Sequence, residues 1–177
     1  MIGVLHIVER ETHNIVTIDF HDQSSQASDH FDDYTKYDMG ALGTGGAVYA
    51  SSPASKLESS SVKYRPFQTW NSISAEWTID LPVGETVTAL AVGGGNNSAS
   101  AEDDMLDGER LDEIAGSGTV VVATNRRFLR FLSGSGMQKY LMNFGEEIVT
   151  MTGGKEMLLI VHRAHEIVKP GMYLLSR

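Results

Sequence analysis

Cysteine is absent from this 177-residue chain. Disulfides, thiolate metal sites and a cysteine nucleophile are therefore excluded. Proline is scarce, at 4 residues, and aromatics make up 8%. No apolar run approaches the roughly 18–20 residues that a membrane-spanning helix needs. The opening Met1-Ile2-Gly3-Val4-Leu5-His6 lacks the basic start and long apolar core of a secretory signal, so none is expected. Basic residues are also few: 14 Lys plus Arg stand against 23 Asp plus Glu, a formal net charge of −9. Phosphate backbones repel such a chain on average, and nucleic-acid binding would need a local basic patch.

What is present is ordinary globular material, 41% hydrophobic and 21% charged. One domain over residues 1–177 is the expectation for this length. The acid is concentrated. Between Gly93 and Gly118 lie Glu102, Asp103, Asp104, Asp107, Glu109, Asp112 and Glu113 against the single base Arg110, which is −6 of the −9. Few large apolar residues accompany them, so the segment 93–118 is expected to be a disordered insertion, with at most a short helix over Asp103–Ile114.

Strand signals dominate elsewhere. Val16, Ile18 and Phe20 alternate with Thr17 and Asp19, and Trp77, Ile79 and Leu81 with Thr78 and Asp80. Val120–Ala123 and Met157–Val161 are apolar on both faces and need covering on both. The links between later strands are too short for parallel crossovers, so neighbours must be antiparallel. Antiparallel meanders buried on both faces fit stacked propeller blades. A repeat agrees: Gly84–Leu90 resembles Gly145–Met151 at an offset of 61, and removing the 23-residue excess of the acidic insertion leaves a period of 38. The expected fold is all-β, a partial β-propeller of about three four-stranded antiparallel blades. The expected pieces are a blade fragment over 1–20, read as the second half of a blade, and a blade over 21–81 containing a long polar connector, His21 to Gly46. A blade over 86–142 with the acidic loop and an incomplete blade over 147–177 follow. A bare blade face of roughly 500 Å² would cost on the order of 12 kcal/mol, so the chain is expected to belong to a longer ring or to associate with other chains.

No constellation argues for catalysis, a cofactor or a metal. His21, Asp22 and His30, with Asp29, Asp32 and Asp33, have metal-ligand residue types but no fixed ligand spacing. Gly40–Gly46 lacks the Lys-Ser/Thr of a phosphate loop and reads as tight-turn glycine. Ser135 lacks a nucleophile elbow. His6 and His162 read as packed or capping histidines, and Trp70 and Trp77 as blade core. Arg126, Arg127 and Arg130, interleaved with Phe128 and Phe131, are the candidate nucleic-acid contact.

Several stretches resemble, in order, the middle propeller of a replisome adaptor family. These are His13–Asp22, Tyr37–Gly43, Tyr64–Trp70, Glu76–Glu85 and Thr119–Gly134. The family comprises the chromosome-transmission-fidelity adaptor, the minichromosome-loss protein, fungal SepB and the animal acidic nucleoplasmic DNA-binding protein. The resemblance spans residues 3–162 and departs from the family pattern after His162. It implies a non-enzymatic, nuclear DNA-replication scaffold, trimeric in the full-length family. That scaffold links the replicative helicase, through GINS, to DNA polymerase alpha–primase and supports sister-chromatid cohesion. The family's peptide groove lies in a helical segment that this chain does not contain, so no client-binding residue is carried over. Glu102–Leu106 loosely resembles the acidic-apolar client peptides. The competing readings are a chromatin or DNA-binding module using the three arginines and a metal-dependent enzyme on His21, Asp22 and His30.

Overall fold

A computed structural model describes residues 2–22, 28–53, 58–67, 76–94, 118–154 and 157–163, and the backbone of 171–176. Among them there are only strands, and no helix. The first sheet is β1 (Gly3–Glu9), β2 (Asn14–Phe20) and β3 (Asp29–Asp33). The second is β4 (Met39–Gly43), β5 (Gly46–Ala50), β6 (Ser61–Pro66) and β7 (Trp77–Asp80). The third is β8 (Val87–Gly93), β9 (Thr119–Thr124), β10 (Phe128–Leu132) and β11 (Gln138–Asn143). The fourth is β12 (Glu147–Gly153), β13 (Met157–Arg163) and β14 (Gly171–Ser176). Each is an antiparallel meander in chain order, as the short links require.

The two-faced apolar runs explain the stacking. On β5, Ala47 and Tyr49 pack with Val16, Ile18 and Phe20 of the first sheet. Their neighbours Val48 and Ala50 pack with Leu90, Val92, Val120 and Val122 of the third sheet. On β9, Val121 and Ala123 turn the other way and meet Ile148, Met151, Leu158 and Ile160 of the fourth. Side chains alternate across a strand, so an interior sheet with apolar residues at every position buries both faces. The strands β1, β4, β8 and β12 lie side by side as the inner edge of the stack. Antiparallel sheets stacked face to face about a shared inner edge are consistent with partial propeller blades.

The repeat at offset 61 is visible in the backbone. Gly84 and Gly145 both take positive φ, 73° and 84°. β8 is bulged between Val87 and Ala89, and β12 between the corresponding Ile148 and Thr150.

The opening of the chain differs from the expectation. The stretch His21–Gly46, read as a connector, contains β3 and β4, and the sheets divide between Asp33 and Met39. The first hairpin includes the inner strand of its sheet, so it is not the second half of a blade. The physical reasons are local. In β3 only Phe31 is apolar, because one face is solvated. β4 is glycine-rich because its neighbours are close: a Cβ on Gly40 would run into Leu5 Cδ2, and one on Gly43 into Val92 Cγ1. The turn between them is set by buried Asp33, whose carboxylate accepts the backbone N–H groups of Thr35 and Tyr37.

Candidate functional site

Arg126, Arg127 and Arg130 sit on the β9–β10 hairpin, at the end of the stack where the loops preceding β8 and β12 emerge. Asn125 fixes the turn. Its side-chain oxygen accepts the Thr86 N–H at 3.0 Å, and its side-chain amide donates to the Gly84 carbonyl at 3.3 Å. Arg126 donates to the Val83 carbonyl at 2.9 Å. Arg127, left-handed at φ 64°, donates to the Gly145 carbonyl at 2.9 Å. The hairpin thereby ties its own sheet's entry loop to that of the fourth.

Arg130 is engaged more deeply. Its Nε and Nη2 donate to the two carboxylate oxygens of Glu85 at 2.9 and 2.8 Å, and Nη1 donates to Gln138 at 2.7 Å. Glu85 is 1% exposed. Burial alone would raise its pKa, but the hydrogen bonds and charge of Arg130, with smaller pulls from Thr124 and Arg126, hold it below the ordinary carboxylate value. Sequence reasoning missed Glu85. The available signal was the repeated Gly-Glu at 84–85 and 145–146. Only the first copy has an arginine at the matching position, since Arg130 stands opposite Val122 where Tyr173 stands opposite Ile160.

The remaining candidates disperse. His21 and Asp22 are exposed beyond β2, while His30 is on β3. Asp29 pairs with Arg65 at 3.2 Å, Asp32 lies 3.7 Å from His13, and His6 lies 3.9 Å from Asp19. Among the described residues no three His, Asp or Glu side chains gather as a metal site. The glycines of β4 and Gly46 are strand residues rather than turn residues, and only Thr44 and Gly45 form the turn. Ser135 Oγ meets Ser133 Oγ at 2.8 Å in the exposed β10–β11 turn. Trp77 donates its indole N–H to the Gly134 carbonyl at 2.9 Å and packs in the core between the second and third sheets. His162 is buried, edge-on to Phe144 at 5.6 Å, and His6 is exposed. Trp70 and the acidic insertion from residue 95 to 117, with Glu102–Leu106, lie outside the described residues.

Two surfaces remain. An open cleft of about 390 Å³ is lined by Asp38 and Met39 at β4, Thr88 at the β8 bulge, and Val149, Thr150 and Met151 of β12. On the outer edge, all six residues of β11 are exposed, with Tyr140 72%, Leu141 49% and Met142 36% accessible. Inside, burial pushes Tyr64 up to about 12 and Tyr49 higher still, which marks the dry spaces between sheets. The arrangement offers solvent-facing edges and faces, and the Thr12 hydroxyl meets the imidazole Nδ1 of its neighbour His13 at 2.8 Å on an exposed turn.

Residues 1–175 match the family model described as minichromosome loss protein, Mcl1, middle region. The chain is 27% identical over 164 residues, 91% of its length, to Protein ENHANCER OF LHP1 1 of Arabidopsis thaliana, covering 14% of that protein. It is 25% identical over 163 residues, 92% of its length, to human WD repeat and HMG-box DNA-binding protein 1, covering 12%. It is 33% identical over 84 residues, 47% of its length, to Minichromosome loss protein 1 of Schizosaccharomyces pombe, covering 10%. The chain thus spans about a tenth to a seventh of the length of these relatives.

Proposed function

Because the chain belongs to the family of the Mcl1 middle region, we propose that it is a non-enzymatic scaffold segment acting in DNA replication in the nucleus. The observation that carries this reading is the match over residues 1–175. Stacked sheets with broad solvent faces support it. The finer form follows the family resemblance. The chain is part of a trimeric adaptor that links the replicative helicase, through GINS, to DNA polymerase alpha–primase and supports sister-chromatid cohesion. The test is recovery of the tagged, natively expressed protein from cells in S phase. GINS and polymerase alpha–primase subunits are expected above an untagged control. Their absence, with a cytoplasmic signal, would sink the reading.

A second reading, a chromatin or DNA contact through Arg126, Arg127 and Arg130, is favoured by their gathering on one hairpin. Against it, each guanidinium already has an intramolecular acceptor and the chain carries −9. Double-stranded DNA is therefore expected to bind weakly. Affinity that falls steeply with salt and disappears in Arg126→Glu/Arg127→Glu would restore the DNA reading.

A further inference from the structure

Three adjacent sheets meet at one mouth. The open cleft of about 390 Å³ is bounded by the opening residues of β4, β8 and β12, with Asp38 at its rim. Each wall belongs to a different sheet, and β8 contacts both of the other two strands. All three are edge strands of their meanders, so each presents backbone groups that no strand pairs with among the described residues. A cleft of this volume is at the small end of ligand sites, and it suits one side chain with the backbone beside it rather than a large cofactor.

Both bulges deliver a residue to it. Val87 faces Thr124 and Ala89 faces Ala123, so Thr88 is the extra residue of β8. Ile148 faces His162 and Thr150 faces Val161, so Val149 is the extra residue of β12. The two correspond at the repeat offset of 61, and both line the cleft. A bulge re-aims a side chain, and bulges concentrate at functional sites. The two side chains differ in what they present. The Thr88 hydroxyl oxygen is buried and has no hydrogen-bond partner among the described residues. Val149 is apolar and 51% exposed.

The third wall supplies charge. Asp38 is the one ionisable side chain among the lining residues. Its Oδ1 accepts the Ser52 N–H at 2.9 Å, which orients the carboxylate. A carboxylate has about four acceptor sites, so this one bond leaves it able to receive further donors. Met39 and Met151 add thioether surface, which adapts its shape to an aliphatic chain. The cleft thus combines an apolar wall, a buried hydroxyl and an oriented anion.

We propose that the cleft receives an arginine side chain carried on an extended segment of a partner protein. The aliphatic stem lies along Met39, Val149 and Met151, and the guanidinium donates to the Asp38 carboxylate and the Thr88 hydroxyl oxygen. Arginine has the required build, an apolar stem with a charged head. Its five N–H donors in a fixed fork reach two acceptors at once, where lysine is a point charge. Asp38 would repel an anion, and an apolar side chain would leave the Thr88 hydroxyl unpaired. The net charge of −9 favours the approach of a cation. The unpaired strand edges suit the backbone of an extended segment. Only the source of the arginine, a protein partner, rests on the scaffold reading.

Methyl resonances of Met39, Val149 and Met151 on the intact chain read the occupancy. The probes are a five-residue peptide with arginine between capped alanine pairs, the same peptide with neutral citrulline in its place, and acetyl-arginine amide. The arginine peptide should shift these methyls saturably with a Kd of about 1 mM, the range of one inserted side chain. The citrulline peptide should bind at least about tenfold more weakly, since it keeps the shape and loses the charge. Asp38→Asn, which still accepts the Ser52 N–H, should raise the Kd about fivefold or more, and Thr88→Val about threefold. Asp80→Asn, at an exposed position on β7, should change nothing. Shifts that do not saturate, equal binding of the citrulline peptide, or binding indifferent to Asp38→Asn would each overturn the proposal. Equal affinity for acetyl-arginine amide would assign the cleft to a free guanidinium compound and overturn the partner segment. Failure to recover GINS and polymerase subunits with this titration intact would remove the replication reading and leave the cleft; the opposite pair of results would remove the cleft alone.

Discussion

Glu85 and Arg130 decide more at the scale of the residue than their place in the sequence suggests. They are 45 positions apart, and each alone reads as a solvated surface charge. The fold brings them together because Glu85 ends the loop entering β8 while Arg130 lies on β10 of the same sheet. The carboxylate is buried, and removing it strands a guanidinium. Glu85→Ala should therefore cost about 3 kcal/mol, read as a lower midpoint in urea. The pH dependence has a fixed sign. The folded-state pKa lies below the unfolded value of 4.5, so the stabilisation is fully present above that value. It is lost as pH falls through the lower, folded value. Acid should destabilise the wild type more steeply than Glu85→Ala, and equal slopes would mean that the carboxylate is not held by Arg130.

Individual elements were legible where packing imposes a period. β2 alternates because one face is solvated, β9 is an apolar run set between two sheets, and β13 is an apolar run with one face set against the third sheet. The Gly84/Gly145 repeat exposed a shared entry turn, and the bulges after Val87 and Ile148 continue it. β3 and β4 were illegible. Their residues answer to tertiary neighbours: a polar face on β3, and close approach of Leu5 and Val92 on β4. The arginines were legible as a cluster but not as ligands of loop carbonyls, since the acceptors come from distant segments. The inner strands approach closely again at Gly153, where a Cβ would collide with the Val92 carbonyl oxygen. Backbone cannot yield as a side-chain tip can, so Gly153→Ala should destabilise by about 1–3 kcal/mol. At Gly145, where a Cβ would meet nothing within 4 Å, the same change should cost about 1 kcal/mol through its positive φ alone. Equal losses in thermal melts of the two variants would argue against tight inner packing.

At the scale of the molecule, strands with two buried faces require sheets on either side. The second and third sheets have them, and the fourth presents exposed Met157 and half-buried Leu159 and Val161 on its far face. The four sheets run along the same residues, 1–175, that match the family of the Mcl1 middle region. The alternation on β9 is the point at which the whole arrangement is most exposed to test. Methyl-to-methyl and methyl-to-aromatic nuclear Overhauser effects on the intact chain report it directly. Val120 and Val122 should contact Val48 and Tyr64 of the second sheet, while Val121 contacts Ile148, Met151 or Ile160 of the fourth. Contacts from all three valines to one neighbouring sheet, or none from Val121 to the fourth, would contradict the stacked arrangement.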